Sequence, residues 1–328
     1  MHHRIAIPNC QSFLWMIEMS SSVVAERPPA SPMPTLYANG LTLSSASNRL
    51  GYLTPTHADT GLAEMRRQYD EQGYLFIKGF LDRQAVVDFR GWVFEQLAEG
   101  RLTEPGTDFA DGISASRAPD KAWLDRRLMS LVRSTAYEGF CAQPRLARFM
   151  DAFLGGLSYL HKRKIMRFTQ PGTTTVTPAH YDLVYLRGGT SRIVTAWIPI
   201  GDTSVAMGGL TYLEGSHTIG SDMEAKFQIE GVDLSPEERI SAYNKNMTEG
   251  GWVSKDLPEM AERFDTRWLV ADYEAGDVML HSPFMIHAST TNQDPERRIR
   301  LSTDIRYQNV DDEIDARWNN HWSLNDML

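Results

Sequence analysis

The chain has 328 residues and a formal charge of −9, because 42 acidic side chains outnumber 33 basic ones. This balance argues against broad binding to nucleic acids or anionic membranes, since both require basic protein surface. The two cysteines, Cys10 and Cys141, cannot form a disulfide framework or a C-x-x-C zinc site, which favours a reducing, cytoplasmic location. No apolar run reaches the roughly 18 residues that a membrane span requires.

The first third of the chain is predicted to be a tail followed by helices. Residues 1–35 are rich in serine and proline without any period, so we expect a disordered tail. Apolar residues three and four positions apart, with Asp82 as an N-cap and Gly73 and Gly100 as end signals, predict the helices. They are predicted at about 60–72, 82–99, 121–137 and 144–153, with a short buried strand at 74–77.

A change of periodicity after Gly156 predicts a β-rich core. Short apolar runs separated by turn signals predict strands at 164–168, 176–184, 193–200, 209–213, 268–271, 277–280 and 299–307. The pattern predicts a mainly β fold with flanking helices: a double-stranded β-helix, or jelly roll, over about 156–310 within one domain spanning 36–328. The charged residues 221–265 interrupt the strands and are predicted to form an insertion or lid.

Two histidines and an aspartate are candidate metal ligands. His180 and Asp182 are two positions apart in a predicted strand, so their side chains should project from the same face. Such a pair is common by chance and can also be a simple hydrogen-bonded pair. His287 lies in a later apolar run, where a histidine can equally be a core residue. His281 competes with it for any role, unless Pro283 breaks the strand register.

A basic strand near the C-terminus is a candidate anion site. Arg298, Arg300 and Ser302 alternate onto one predicted face, and a guanidinium on the inner face of a barrel suits a buried carboxylate. Arg297 is interpreted as part of a solvated turn. Two histidines and one carboxylate leave three open positions on a metal, which is the facial triad of non-haem Fe(II) oxygenases.

The sequence resembles the phytanoyl-CoA dioxygenase-like (PhyH) family of Fe(II)/2-oxoglutarate-dependent oxygenases over about residues 65–307. The resemblance rests on the order and spacing of several short motifs. They are Glu71–Phe80, His180-x-Asp182, Ala196–Pro199, Gly208–His217, Gly276–Val278, His287–Ser289, and Arg300–Ser302 followed by Arg306–Tyr307.

The resemblance implies a dioxygenase that uses Fe(II), 2-oxoglutarate and O2. Its Fe(II) ligands match His180, Asp182 and His287. Such an enzyme oxidises, and most often hydroxylates, a C–H bond of a small molecule and releases succinate and CO2. The presence of Asp182 argues against the halogenating relatives, which lack this carboxylate.

The resemblance also implies an arginine that binds the distal carboxylate of 2-oxoglutarate. Counting back from Arg306 gives Arg300, with Ser302 adding a hydrogen bond. Counting forward from the second histidine gives Arg298, so both remain candidates. Thr195 is a candidate cosubstrate contact, and Trp197 on the same strand is expected to pack near the metal.

The substrate and the competing functions stay open at this point. The family suggests an acyl-CoA 2-hydroxylase, whereas many relatives act on natural-product intermediates of secondary metabolism. Residues 221–265 carry eleven acidic and five basic side chains, an unfavourable cover for the polyphosphate of CoA, which favours an uncharged small molecule.

The alternatives to an oxygenase are a non-catalytic jelly roll that binds a ligand or metal, and a Zn(II) or Mn(II) hydrolase or isomerase. Nucleic-acid demethylation is disfavoured. The oligomeric state stays open, with a homodimer as one candidate.

Overall fold

Three sheets contain the strands of this computed structural model, which describes residues 33–117, 119–242 and 251–323. The strands are β1 (Tyr37–Ala38), β2 (Leu41–Thr42), β3 (Leu50–Tyr52), β4 (Pro55–His57), β5 (Tyr74–Lys78), β6 (Ser158–Leu160), β7 (Ile165–Thr169), β8 (Val194–Pro199), β9 (Leu210–Leu213), β10 (Trp268–Val270), β11 (Val278–His281), β12 (His287–Ser289) and β13 (Arg300–Asn309). The larger sheet has the order β4-β5-β11-β8-β13-β6, with β7 also paired to β13. A smaller sheet has the order β12-β9-β10-β3, and β1 pairs with β2.

The helices lie before the core strands and between β9 and β10, apart from one short helix after β7. They are α1 (Leu62–Gln72), α2 (Arg83–Gln96), α3 (Lys121–Leu131), α4 (Thr135–Cys141), α5 (Pro144–Leu154), α6 (Leu183–Leu186), α7 (Ser216–Glu230), α8 (Pro236–Ile240) and α9 (Leu257–Arg263). The mainly β architecture with flanking helices is the fold that the sequence predicts. No helix in the described part of the chain has the length and apolar character needed to span a bilayer.

The central strands of the larger sheet are buried on both faces. On β5, Leu75 and Ile77 pack into a cluster with residues of the helices α2 to α5. Tyr74 and Phe76, on the other face, pack with residues of the smaller sheet such as Tyr212. Because both faces are covered, β5 is an uninterrupted apolar run rather than an alternating one, which is why its sequence predicts a short buried strand.

The helical layer follows the predicted elements with one correction. Asp82 caps α2 as predicted, since its carboxylate accepts from the amide of Ala85 at 2.7 Å. The single helix predicted at 121–137 is wrong, because α3 ends at Leu131 and α4 begins at Thr135. Ser134 separates the two helices: its hydroxyl accepts from the amide of Tyr137 at 3.2 Å and so caps α4.

The predicted insertion lies between β9 and β10 and is largely helical in its described part. It contains α7, α8 and α9, and α7 begins at Ser216, before the predicted boundary at 221. Glu224 of α7 forms a buried ion pair with Arg187 at 2.8 Å, and the ring of Phe227 lies 3.9 Å from the same guanidinium. These contacts fix α7 against the segment that follows α6. Residues 243–250, and residues 1–32 of the predicted tail, lie outside the described residues.

Candidate metal centre

A backbone bridge holds the two candidate histidines side by side. The amide of His180 donates to the carbonyl of His287 at 3.1 Å, and the amide of His287 donates to the carbonyl of His180 at 2.9 Å. The centroids of their rings are 4.3 Å apart. Main-chain bonds therefore fix two side chains from distant parts of the sequence relative to each other.

Asp182 reaches the site from a turn and not from a strand. The strand predicted at 176–184 is wrong, since this segment has only isolated bridges and then enters α6. Asp182 has a helical backbone, with φ −64° and ψ −31°. The chain turns here because the amide of Leu183 donates to the carbonyl of Pro283 at 2.9 Å. His180 and Asp182 do lie together, but through this turn and not through strand alternation.

The three side chains present a set of donors that suits a metal ion. The candidate ligand atoms of His180, Asp182 and His287 lie within 4.8 Å of one another. Each histidine Nδ1 lies 2.9 Å from a main-chain carbonyl, that of Pro178 for His180 and that of Met285 for His287. Because a carbonyl only accepts, each Nδ1 carries the proton and each Nε2 offers its lone pair to a metal. Two imidazoles and one carboxylate leave positions open and suit Fe(II).

The Asp182 carboxylate is buried and held in its ionised form. Burial by itself would raise its pKa, but the Arg306 guanidinium and the His281 ring hold that pKa well below its usual range. Arg306 Nη2 lies 3.2 Å from both carboxylate oxygens. Asp182 can therefore meet a divalent cation as an anion, without first losing a proton.

The two bridged histidines are held in their neutral form. Burial lowers the pKa of His180. Burial also lowers the pKa of His287 well below its usual value, and the neighbouring His180 and His281 lower it further. Neutral imidazole is the form that binds metals, so the burial of these rings prepares them as ligands.

His281 lies beside the triad in a different role from His287. Its Nε2 is 3.4 Å from Asp182 Oδ2, and its Nδ1 is 2.9 Å from the hydroxyl of Tyr212. Pro283 follows the end of β11, so that His281 belongs to the larger sheet and His287 to the smaller one. Among the described residues His281 is outside the group of three that could hold a metal, and it contacts the carboxylate instead.

Arg300 lines the same cavity as the triad and is only 6% exposed. Its Nη1 donates to the carbonyl of Gly208, and its Nη2 donates to Thr169 Oγ1 at 2.8 Å. Neither Arg300 Nε nor Ser302 Oγ has a hydrogen-bond partner among the described residues. Burial lowers the pKa of Arg300 to about 10, which leaves the guanidinium charged at neutral pH. A buried cation with an unsatisfied donor suits a carboxylate ligand.

Arg298 does not share this cavity, although it is the alternative candidate. It precedes β13, so the expected common strand face with Arg300 is wrong. Its Nε and Nη2 donate to the two carboxylate oxygens of Asp294 at 2.9 Å, and its side chain is 31% exposed. Its neighbour Arg297 has a positive φ of 59° and an exposed side chain, as expected of a turn.

Thr195 and Trp197 both line the triad cavity from β8. The Thr195 hydroxyl donates to Asp182 Oδ2, so it contacts the candidate metal ligand directly. Trp197 is buried and packs against Tyr273, with ring centroids 4.7 Å apart. The strand thus supplies one polar group that orients the carboxylate and one aromatic wall.

Replacing Thr195 by valine should weaken metal binding without unfolding the protein. The change keeps the shape and removes the hydroxyl that orients Asp182, and the loss of such a supporting contact typically costs about 10–100-fold in metal affinity. The measurement is the dissociation constant of Mn(II) or Fe(II). Thr303→Val is the matched control, because the Thr303 hydroxyl bonds the Tyr137 hydroxyl at 2.6 Å instead of a ligand. Equal metal affinities for the two variants would contradict this role.

Arg306 is the site residue whose role the sequence analysis missed. The sequence motifs include Arg306 without a role of its own, although the pattern of the predicted strand indicates which face it lies on. In the predicted strand 299–307, a period of two places Arg300, Ser302, Asp304 and Arg306 on one face. The structure lines the triad cavity with Arg300, Asp304 and Arg306. Only the contact with Asp182, which depends on the tertiary fold, shows what Arg306 does.

Known proteins match this chain over most of its length. The phytanoyl-CoA dioxygenase (PhyH) family model matches residues 69–299. The 1-deoxypentalenic acid 11-beta-hydroxylase of Streptomyces exfoliatus is 26% identical over 250 residues, which is 74% of this chain and 79% of that protein. The human peroxisomal phytanoyl-CoA dioxygenase is 25% identical over 237 residues, which is 70% of this chain and 64% of that protein.

Solved structures share the fold. The non-haem α-ketoglutarate-dependent carbocyclase SnoK of nogalamycin biosynthesis matches with a TM-score of 0.50 and 22% identity, over 80% of this chain and 89% of its own. The epimerase SnoN, solved with Fe3+, α-ketoglutarate and a nogalamycin compound, matches with a TM-score of 0.51 and 17% identity, over 77% of this chain and 85% of its own. Because the family model covers more than half of the chain, the protein belongs to the phytanoyl-CoA dioxygenase family and is an Fe(II)/2-oxoglutarate-dependent oxygenase.

Proposed function

We propose that His180, Asp182 and His287 bind Fe(II) and that the enzyme hydroxylates a C–H bond of a compact natural-product intermediate. The observation that carries the proposal is the convergence of two Nε2 atoms and one ionised carboxylate in a buried cavity that also contains Arg300. Fe(II) together with 2-oxoglutarate supplies the dioxygen chemistry that oxidises the C–H bond, with succinate and CO2 as coproducts.

The role of Arg300 is to bind the distal carboxylate of 2-oxoglutarate. The cavity beside the triad has a volume of only about 20 Å³, and Arg300, which lines it, donates to Gly208 and Thr169. When 2-oxoglutarate binds, Arg300 therefore exchanges the carbonyl of Gly208 for a carboxylate, which is the stronger acceptor for a guanidinium. Ser302 lies two positions along β13, on the same strand face, and its buried hydroxyl can add a second hydrogen bond.

The chain also excludes water from the reacting atoms. His180, Asp182 and His287 are each no more than 6% exposed, and the aromatic side chains of Trp197 and Tyr212 are almost fully buried nearby. In such surroundings the charges of the site are less screened than in water, so carboxylates bind more strongly. A dry cavity also protects the oxidising chemistry from side reactions with solvent.

The cavity next to the triad favours a compact substrate. We name it the arginine cavity; it has a volume of about 200 Å³ and is lined by Arg163, Arg167, Arg306, Tyr185, Trp318 and Trp322, together with His180 and Asp182. Pockets for drug-sized ligands are larger, at roughly 300–1,000 Å³. The relative named as a hydroxylase of 1-deoxypentalenic acid supports a small natural-product substrate, and the relative named for phytanoyl-CoA keeps an acyl-CoA as the second candidate.

A screen for substrate-dependent succinate formation tests the proposed function. Purified protein with Fe(II), ascorbate and 2-oxoglutarate is incubated with a panel of terpenoid, polyketide and amino-acid compounds and a panel of acyl-CoA thioesters. We expect stimulation of succinate formation by a compact member of the first panel, and a product heavier by one oxygen atom. Stimulation by acyl-CoA thioesters alone would support the second candidate. No 2-oxoglutarate turnover under any condition would refute the oxygenase assignment of this site.

A further inference from the structure

The arginine cavity has a lining rich in arginine, which the proposed function does not explain. Among its described lining residues, three are arginines and one, Asp182, is a carboxylate. Arg167 pairs with Asp304 at 2.7 Å, and Arg306 pairs with Asp182 at 3.2 Å. The carboxylate that faces the cavity is thus also a candidate metal ligand. A metal bound to Asp182 would share its negative charge, so that Arg306 would be less well neutralised than it is in the metal-free protein.

Arg306 lines the arginine cavity, and its hydrogen bonds do not use all of its donors. It is 4% exposed, and its Nε and Nη1 have no hydrogen-bond partner among the described residues. Leaving buried donors unsatisfied is costly, and a carboxylate oxygen that accepts from one of them would lower that cost. The guanidinium carbon lies 4.7 Å from the ring centroid of Trp318, which holds the group in place by a cation–π contact. The donors are therefore fixed before any ligand arrives.

The rest of the cavity suits an apolar body. Trp318, Trp322 and Ile165 line it beside the arginines. Trp318 is 2% exposed and belongs to a short 3-10 helix at Ala316–Asn319, so its ring is a fixed wall. An aromatic wall next to a fixed guanidinium recognises a molecule that is apolar over most of its surface and anionic at one end.

We propose that the arginine cavity binds the substrate as a compact organic acid, with its carboxylate on Arg306 and its apolar body against Trp318 and Trp322. This inference rests on the proposed function and names its substrate class. It replaces the uncharged substrate expected from the acidic segment 221–265, because the charge that the substrate meets is that of the arginine cavity. The carboxylate at Arg306 is separate from the one assigned to Arg300.

Calorimetry with two matched probes tests the proposal. The probes are adamantane-1-carboxylate and its neutral isostere adamantane-1-carboxamide. Each is titrated into protein loaded with Ni(II) and 2-oxoglutarate, so that turnover consumes neither probe. We expect the acid to bind roughly tenfold or more tightly than the amide, since hydrogen bonds to a charged partner are the stronger ones. Equal affinities, tighter binding of the amide, or no binding of the acid would overturn the proposal.

Variants locate the preference at Arg306. In Arg306→Gln the acid-to-amide ratio should fall to about one while the amide still binds, and the amide thereby reports an intact cavity. Arg306→Lys should keep part of the preference, and Arg192→Gln, an exposed arginine paired with Asp312, should keep all of it. Metal content is measured in each sample because Arg306 contacts Asp182. If Arg306→Gln does not fold, the ratios of the wild-type and Arg306→Lys proteins decide.

The cosubstrate is the other possible source of a carboxylate at Arg306. Arg306→Gln should leave the dissociation constant of 2-oxoglutarate within about threefold of the wild-type value. Such a change is less than half of the binding free energy that a tenfold change in affinity represents. A large loss of 2-oxoglutarate binding with the acid preference intact would place the cosubstrate at Arg306 and overturn the substrate assignment. Turnover of neutral compounds only would refute this inference and leave the oxygenase function standing. Acid-selective binding without any 2-oxoglutarate turnover would refute the function and leave the acid site.

Discussion

Replacing Asp182 by asparagine should abolish 2-oxoglutarate turnover and also destabilise the metal-free protein. The asparagine keeps the shape of the side chain but removes the anionic ligand. It also leaves the buried Arg306 guanidinium without its counterion. Breaking a buried ion pair on one side typically costs about 3–5 kcal/mol of unfolding free energy. Succinate formation should fall to the level of metal-free protein, and urea denaturation should show the loss of stability.

Asp277 provides a matched control for this change. It is also 1% exposed, and its carboxylate accepts from Lys78 Nζ at 2.6 Å and from the amide of Gly79 at 2.9 Å. Asp277→Asn therefore removes a buried, paired carboxylate that is not a candidate ligand. It should lower stability and preserve turnover per folded molecule. If Asp182→Asn retains turnover, or if Asp277→Asn loses it equally, the metal role of Asp182 is contradicted.

Replacing Arg300 by glutamine should raise the concentration of 2-oxoglutarate needed for half-saturation by roughly 30-fold or more. Removing one partner of a buried, hydrogen-bonded charge pair typically costs about 2 kcal/mol or more of binding free energy. The maximal rate should change less than the half-saturation value, because Arg300 holds the cosubstrate at the end remote from the metal. Arg300→Lys should show an intermediate effect, since it keeps the charge and loses the forked geometry.

A variant of Arg298 distinguishes between the two candidate arginines for binding 2-oxoglutarate. Arg298→Gln removes a guanidinium that pairs with Asp294 and lies outside the cavity, so the half-saturation value for 2-oxoglutarate should stay near that of the wild type. The measurement is a 2-oxoglutarate titration of succinate formation for both variants, with binding of 2-oxoglutarate measured separately. A large effect of Arg298→Gln together with a small effect of Arg300→Gln would assign the cosubstrate to Arg298.

The parts of the fold that the sequence predicts share one physical property. Each carries its signal within its own segment of the sequence. Strands β5 and β8 are buried on both faces and are continuous or nearly continuous apolar runs. Strand β13 is also buried over most of its length, but it alternates polar side chains such as Arg300 with apolar ones such as Leu301. Helix α2 has a capping aspartate and an apolar stripe, which are local features. The site residues that follow from such elements, Thr195 and Arg300, lie where their strands place them.

The parts that the sequence does not predict depend on contacts between distant segments. Strand β12 has three residues and is defined by its pairing with β9, so it carries little local signal. Strand β3 pairs in parallel with β10 from more than two hundred residues away. The turn at Asp182 forms because the carbonyl of Pro283 accepts from the amide of the next residue, Leu183. Local periodicity holds no information about any of these partners.

The backbone bridge between His180 and His287 couples metal binding to the folding of the whole core. One histidine lies in the loop before α6 and the other begins a strand of the smaller sheet, so no short segment of the chain contains both. An unfolded chain would hold these ligands far apart and bind metal poorly. A metal that binds only the folded chain stabilises it in proportion to the logarithm of its concentration over the dissociation constant. Resistance to unfolding should therefore depend on the supply of ferrous iron.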